Sequence, residues 1–226
     1  AIGCSLENTM AFTMTFTSDN ARADAKVFCE RAARVYDGSA RLIATGDFLQ
    51  AYVGVLFPRG LLDQTPTVLG LRVFALAASV EFDVVVPLES LIHRLGTAAE
   101  RNELEVALPA EVASLAWAAI TPPREGWRRR LGVQAQALSE AAATGVGAVA
   151  AAVPESIGES ALQKVRAQVW GAPVANHARI PSGAAFAADA LGFLGDQAMQ
   201  VHTVGPWLRL SSKAGYVLVK NAGGSL

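Results

Sequence analysis

Asp189 is the residue in this chain whose type and setting most suggest chemistry. It stands in the apolar run SGAAFAADALGFL, three positions after Phe186 and four before Phe193, so on a helix the three would share a face. A carboxylate on a packed face needs a partner or a raised pKa. His177, Arg179 or His202 could supply that partner. The common outcome is a structural salt bridge or an interfacial hydrogen bond; the sharper one is a pocket floor that holds a ligand or acts as a base. Arg72 interrupts the apolar run VLGLRVFALAA on the face of Val68, Gly70 and Phe74. It could hold an anion there, with Gly70 leaving room, although such an arginine more often pairs with an acid or reaches solvent. Glu89 and His93 are four apart on one helical face, a spacing at which the carboxylate can fix the imidazole tautomer. That face lies opposite the Leu91/Leu95 stripe, where charge usually meets water.

Other chemistries find less support. Three histidines (93, 177, 202) and two distant cysteines (4, 29) have no metal-ligand spacing, so no metal is expected. The string Gly145-Val-Gly147-Ala-Val-Ala150 fits a dinucleotide fingerprint letter by letter. It follows helical sequence and lacks the preceding strand, so it reads as helix packing and implies no cofactor. Ser182 lacks the G-x-S-x-G elbow and reads as a helix N-cap.

These residues sit on elements that the pattern defines. Ser18 and Asp19 cap a helix running to about Tyr36, with Ala25, Phe28, Cys29, Ala32 and Val35 on its apolar face. ARLIAT and FLQAYVGVLF read as a hairpin turning at Gly46-Asp47. TVLGLRVFALA reads as a central strand, apolar on both faces. A helix starts at Pro87, and ELEVALP (103–109) is a short strand. Residues 133–153 form an alanine-rich helix. The final third then reads helix, loop, helix and β-hairpin, with a turn at Lys213-Ala214-Gly215.

The expected class is α+β: an antiparallel sheet with flanking helices in the N-terminal half, and a helical C-terminal half ending in a β-hairpin. The expected organisation is an N-terminal arm open to disorder (1–17), an α+β subdomain (18–120), a Pro/Arg linker (121–132) and a helical subdomain with a C-terminal hairpin (133–226). That last order is the order of a winged helix-turn-helix, which invites a nucleic-acid reading. The charges argue against it. The helix 182–194 carries no cation, and residues 155–226 hold only six cations against four anions. The linker segment TPPREGWRRR could grip a phosphate or a single strand, but a tryptophan folded onto the core explains it equally well.

Composition bounds the rest. The chain has 226 residues, 52% of them hydrophobic and only 17% charged, with a net charge of −1. Too little charge to cover the surface points to self-association, with a homodimer as the default. Trp170, Phe186, Phe193 and Trp207 are the expected interface anchors. No run approaches the roughly 20 apolar residues of a membrane span, and the first residues lack a basic leader. Together with thiols expected to be reduced, this points to the cytoplasm. The function expected is binding or assembly. A small-molecule site between the two halves (Asp189, His177, Arg72, His93, Glu89) is the alternative, and a winged-helix nucleic-acid binder the third reading.

Overall fold

The computed structural model describes residues 12–35, 38–60, 63–113, 115–152 and 158–221. The first described strand is β1 (Thr13–Thr15). Helix α1 (Asp19–Ala33) follows, and the Ser18 hydroxyl accepts from the Ala21 N–H at 3.2 Å. That satisfies one of the four N–H groups a helix start leaves open. Met14 and Phe16 are buried, so the described part of the expected arm belongs to the core. The arm's remainder, with Cys4, lies outside the described residues.

Strands β2 (Ser39–Leu56) and β3 (Thr67–Pro87) are the longest elements. They form one antiparallel ribbon and not the expected ARLIAT/FLQAYVGVLF hairpin. Residues Ser39–Gly46 pair with Val80–Pro87, and Phe48–Leu56 pair with Val68–Ala75. Because both halves of β2 already have β3 as a partner, the positive φ of Gly46 (64°) makes a bulge and no reversal. Helix α2 (Leu88–Glu100) begins after Pro87 and buries Leu88, Leu91, Leu95 and Ala98. Strand β4 (Glu105–Ala107) pairs with β1.

The second half opens with β5 (Arg128–Val133), which takes up the end of the expected linker. Helices α3 (Ala135–Ala152) and α4 (Glu159–Gly171) follow. A short hairpin of β6 (Pro173–Val174) and β7 (His177–Pro181) turns at Asn176, whose φ is 62°. Then come α5 (Ser182–Ala190), β8 (Met199–Val204), β9 (Trp207–Ser211) and β10 (Tyr216–Lys220). The expected C-terminal hairpin is thus three strands, and it is no free wing. Strand β10 pairs with β9 on one side and β3 on the other, giving a six-stranded antiparallel sheet ordered β2-β3-β10-β9-β8-β5. Alternation explains why: Val217 and Val219 face one side and Leu218 the other, and all three are buried. A free wing would leave one of those faces wet. Mixed helices and antiparallel sheets make the chain α+β.

The helices cover one face of this sheet. Phe28, Phe74, Leu91, Leu138, Ala184, Phe193, Leu210 and Val219 belong to one continuous core there. On the other face the segment around 112–127 covers a smaller cluster of Tyr52, Leu69, Leu71, Trp117, Trp207 and Leu218. Arg41 pins that segment. It grips Asp83 with two hydrogen bonds of 2.8 and 2.6 Å and donates to the Ala118 carbonyl at 2.6 Å. The Asp83 hydrogen bond raises the Arg41 pKa.

Candidate functional site

The residues singled out for chemistry are dispersed. Asp189 is exposed. Helix α5 stops at Ala190, and Gly192 (φ 73°) turns the chain, so Phe193 enters the core while Asp189 stays outside. The i, i+4 relation between them therefore does not exist. Arg72 forms an ion pair with Asp24 of α1 and donates to the Ala214 carbonyl. The space beside Gly70 is filled: a Cβ there would lie 2.2 Å from Leu191 Cδ1. Glu89 and His93 are both exposed and line a mixed-charge hollow of about 670 Å³ with Arg94, Arg101, Glu103 and Glu105. His177, half-buried at the start of β7, lines two other hollows. Where a pocket between the halves was expected, the β3–β10 ladder joins them, and a hollow of about 210 Å³ lined from both halves contains none of these five residues.

Of the expected interface aromatics, Trp170, Phe193 and Trp207 are buried and Phe186 is half-buried. Trp170 and Phe186 stack at 4.5 Å, and Phe193 stacks on Phe28 at 6.1 Å. Trp207 is 6% exposed, beneath the 112–127 segment. Gly145 lies under Trp170, where a Cβ would come within 2.2 Å of the ring, so that glycine serves helix packing. Ser182 is not an N-cap: its hydroxyl donates to the Ala172 carbonyl at 2.9 Å. Cys29 is a free, buried thiol whose pKa burial raises to about 12. Among the described residues no group of three His, Cys, Asp or Glu side chains could hold a metal. No described helix is long and apolar enough to cross a membrane.

What the structure brings together lies at the edge of the sheet. Strand β5 pairs only with β8 among the described strands, so its outer N–H and C=O groups are free. It carries three exposed arginines, Arg128, Arg129 and Arg130, and then Leu131, which is 90% exposed. Arg130 Nε donates to Thr203 Oγ1 at 2.9 Å, which holds its stem along β8. Beside the edge, on the helix side, lies a groove of about 400 Å³ lined by Leu131, Ile180, Val201 and Leu208, with Arg130 and Arg179 at its rim. In a separate two-stranded sheet, β4 pairs only with β1 among the described strands, and Glu103 and Glu105 are exposed on and beside it. One molecule thus carries a basic edge strand, β5, and a strand, β4, whose own charges are the glutamates, with Arg94 and Arg101 across the hollow from them. Little in the sequence signals β5: RRRLGV does not alternate, and Pro122, Pro123 and Gly126 beside it read as linker.

Residues 10–119 match a family model described as a Domain of unknown function (DUF8010), and residues 122–224 match another, Domain of unknown function (DUF8185). No curated protein matches the chain. Among solved structures, the DnaN sliding clamp (DNA polymerase III subunit beta) of Bartonella birtlesii, bound to griselimycin, aligns over 95% of this chain with a TM-score of 0.55 at 11% identity. The fold is similar to that of a sliding clamp. The Caulobacter crescentus DNA polymerase sliding clamp aligns over 96% with a TM-score of 0.51 at 12% identity. A C. crescentus pol III beta structure gives 95%, 0.51 and 11%. The chain spans 66 to 67% of the length of these clamps. The two family models meet between residues 119 and 122, yet the clamp-like sheet runs through that division without interruption.

Proposed function

We propose that this chain is an assembly protein that joins copies of itself head to tail, the basic edge β5 of one meeting the acidic edge β4 of the next. The observation that carries the reading is Leu131, 90% exposed on an edge strand paired on one side only, beside a groove lined by Ile180, Val201 and Leu208. Natural proteins blunt free edges with charge, bulges or cover. Here the edge keeps its arginines and adds a bare leucine, whose burial would contribute about 1.5–3 kcal/mol.

Charge selects the partner surface. Two β5 edges facing each other across a two-fold axis would oppose six arginines, and like charges directly across a ladder are destabilising. Glu103 and Glu105 offer the opposite sign on the same chain. The contact is then heterologous, which closes into a ring if the rotation permits and otherwise makes a filament. The likeness to subunits of DNA polymerase III supports assembly at the level of fold. A mixed charge over the helix layer favours no helix-lined nucleic-acid channel. The described side chains of the five helices include Arg22, Lys26, Arg31, Arg94, Lys164 and Arg166 against Asp19, Asp24, Glu30, Glu89, Glu100, Glu140 and Asp189.

Sedimentation velocity across the micromolar range tests this. Wild type should associate, and Leu131→Asp should weaken association by at least about tenfold, the equivalent of roughly 1.4 kcal/mol. Arg128, Arg129 and Arg130 changed together to Glu should abolish it, and adding Glu103→Arg and Glu105→Arg should restore it. A wild-type protein that stays monomeric up to about 100 µM, a free energy near −5.5 kcal/mol, defeats the proposal.

A further inference from the structure

We infer that the outer face of the β8–β9 ladder is a phosphate-binding site, a role separate from assembly. Arg129 of β5 lies opposite His202 of β8, and His202 lies opposite Arg209 of β9. The three form one row across the sheet. Their neighbours in sequence, Val201, Leu208 and Leu210, point into the helix-side core, so the row faces away from the helices. Among the described residues no carboxylate forms an ion pair with Arg129 or Arg209.

Three buried polar atoms on this face have no hydrogen-bond partner within the chain: His202 Nδ1, Arg209 Nε and Ser211 Oγ. Such groups are rare because each costs free energy when unsatisfied. Here they occupy adjacent positions on paired strands, which marks a place built for an outside partner. Arg209 is already oriented: its guanidinium lies 4.7 Å from the Trp127 ring centre and 5.8 Å from that of Tyr216. Trp127 is itself fixed, its Nε1 donating to the Pro123 carbonyl at 2.9 Å. Stacking of this kind fixes the plane of the guanidinium, whose edge is the part that meets an acceptor. Next to it is a hollow of about 520 Å³ whose lining includes Gln200, Ser211, Ser212, Lys213 and Tyr216, with Asp196 as its one acid.

The number of donors chooses the ligand. Two guanidinium groups and an imidazole form the row, and the Ser211 hydroxyl follows on the same face of β9, so donors come from three adjacent strands. A planar carboxylate has two oxygens and cannot meet donors set around it, whereas a phosphate group has four in a tetrahedron. Burial, then Arg209 and Arg129, lower the His202 pKa, so the imidazole is neutral and can donate to or accept from a monoprotonated phosphate. The phosphate could belong to a free ion or monoester, or to the phosphodiester of a nucleic acid.

Imidazole NMR of the full chain separates these, with inorganic phosphate and a twelve-nucleotide oligothymidylate titrated at constant ionic strength. The His202 signals should shift saturably while those of His93 stay fixed. Arg209→Gln should weaken binding by at least about tenfold, as expected for one lost charge-assisted contact. Arg129→Gln, on an exposed edge where folding is not at stake, should weaken it about threefold, a rim effect. Tighter binding of the oligonucleotide identifies a nucleic-acid backbone; equal or weaker binding identifies a free phosphate or monoester. No saturable shift with either ligand overturns the inference, as does a shift matched by chloride or one undiminished in Arg209→Gln and Arg129→Gln.

Discussion

The two faces of the six-stranded sheet are built on different terms. The helix side is a closed apolar core in which Phe28 stacks on Phe193 and meets Phe74 at a tilt, and Ala184, Ala185, Ala187 and Ala188 of α5 are buried. The outer side holds a smaller aromatic cluster at the β2–β3–β10 end, and beyond it a polar stretch with arginines and unpartnered atoms. Stability is concentrated on one face; the groups available to a ligand are concentrated on the other. A sheet flanked by helices on one side only can divide its labour in this way, because strand alternation sends neighbouring residues to opposite tasks.

Substitutions can test how sharp that division is. The largest effect is expected on the helix side: Phe193→Ala should cost about 3–5 kcal/mol by denaturant melts, the usual loss for a fully buried ring. If it costs less than Trp117→Ala on the outer side, the ranking of the two faces is reversed. Gly145→Ala brings a Cβ within 2.2 Å of Trp170, and Gly54→Ala brings one within 2.9 Å of Trp117. Overpacking costs about 1–3 kcal/mol. At Gly145 a helix-propensity gain of about 1 kcal/mol offsets part of it. The two should therefore come out closer in melting temperature than their distances suggest.

Smaller effects concern titration. Cys29, with its pKa near 12, should resist thiol reagents in native protein and react freely on unfolding. His202 has a folded pKa below its ordinary value, so protonation favours the unfolded chain. Its contribution to stability is fully present above about pH 6.5, the unfolded value, and declines as pH falls from there toward the folded pKa. Phosphate should reduce that decline. A pH–stability profile unchanged by His202→Gln would remove His202 from the account.

Local signals made many elements readable. The Ser18 cap, the Pro87 helix start and the two-faced apolar strand at 67–77 lie in the sequence because each depends on neighbours in the chain. The candidate site was far less legible. Asp189 drew attention through a periodicity that Gly192 cuts short, and the four aromatics looked like an interface because hydrophobicity does not say which surface will cover it. The row Arg129–His202–Arg209 sets Arg129 beside a hairpin far along the chain, a meeting made only by strand register. Arg22 is similar: it is buried, ion-paired to Asp19 at 2.8 Å and bonded to the Glu103 carbonyl, a tie between α1 and the β4 approach that no spacing announces. Gly46-Asp47 shows the opposite error, a good local turn signal overruled because β3 supplies a longer partner.

The place of β10 has a kinetic consequence. Its partner residues on β3 lie about 145 positions earlier, as Tyr216 meets Leu71. Pairings of such separation form late, since loop closure must precede the contacts that reward it. Until then the inner edge of β3, with Val68 and Leu69, stands open to any other strand. Refolding should show a slow phase that a tryptophan at position 207 reports, and aggregation should compete with it most strongly at high protein concentration.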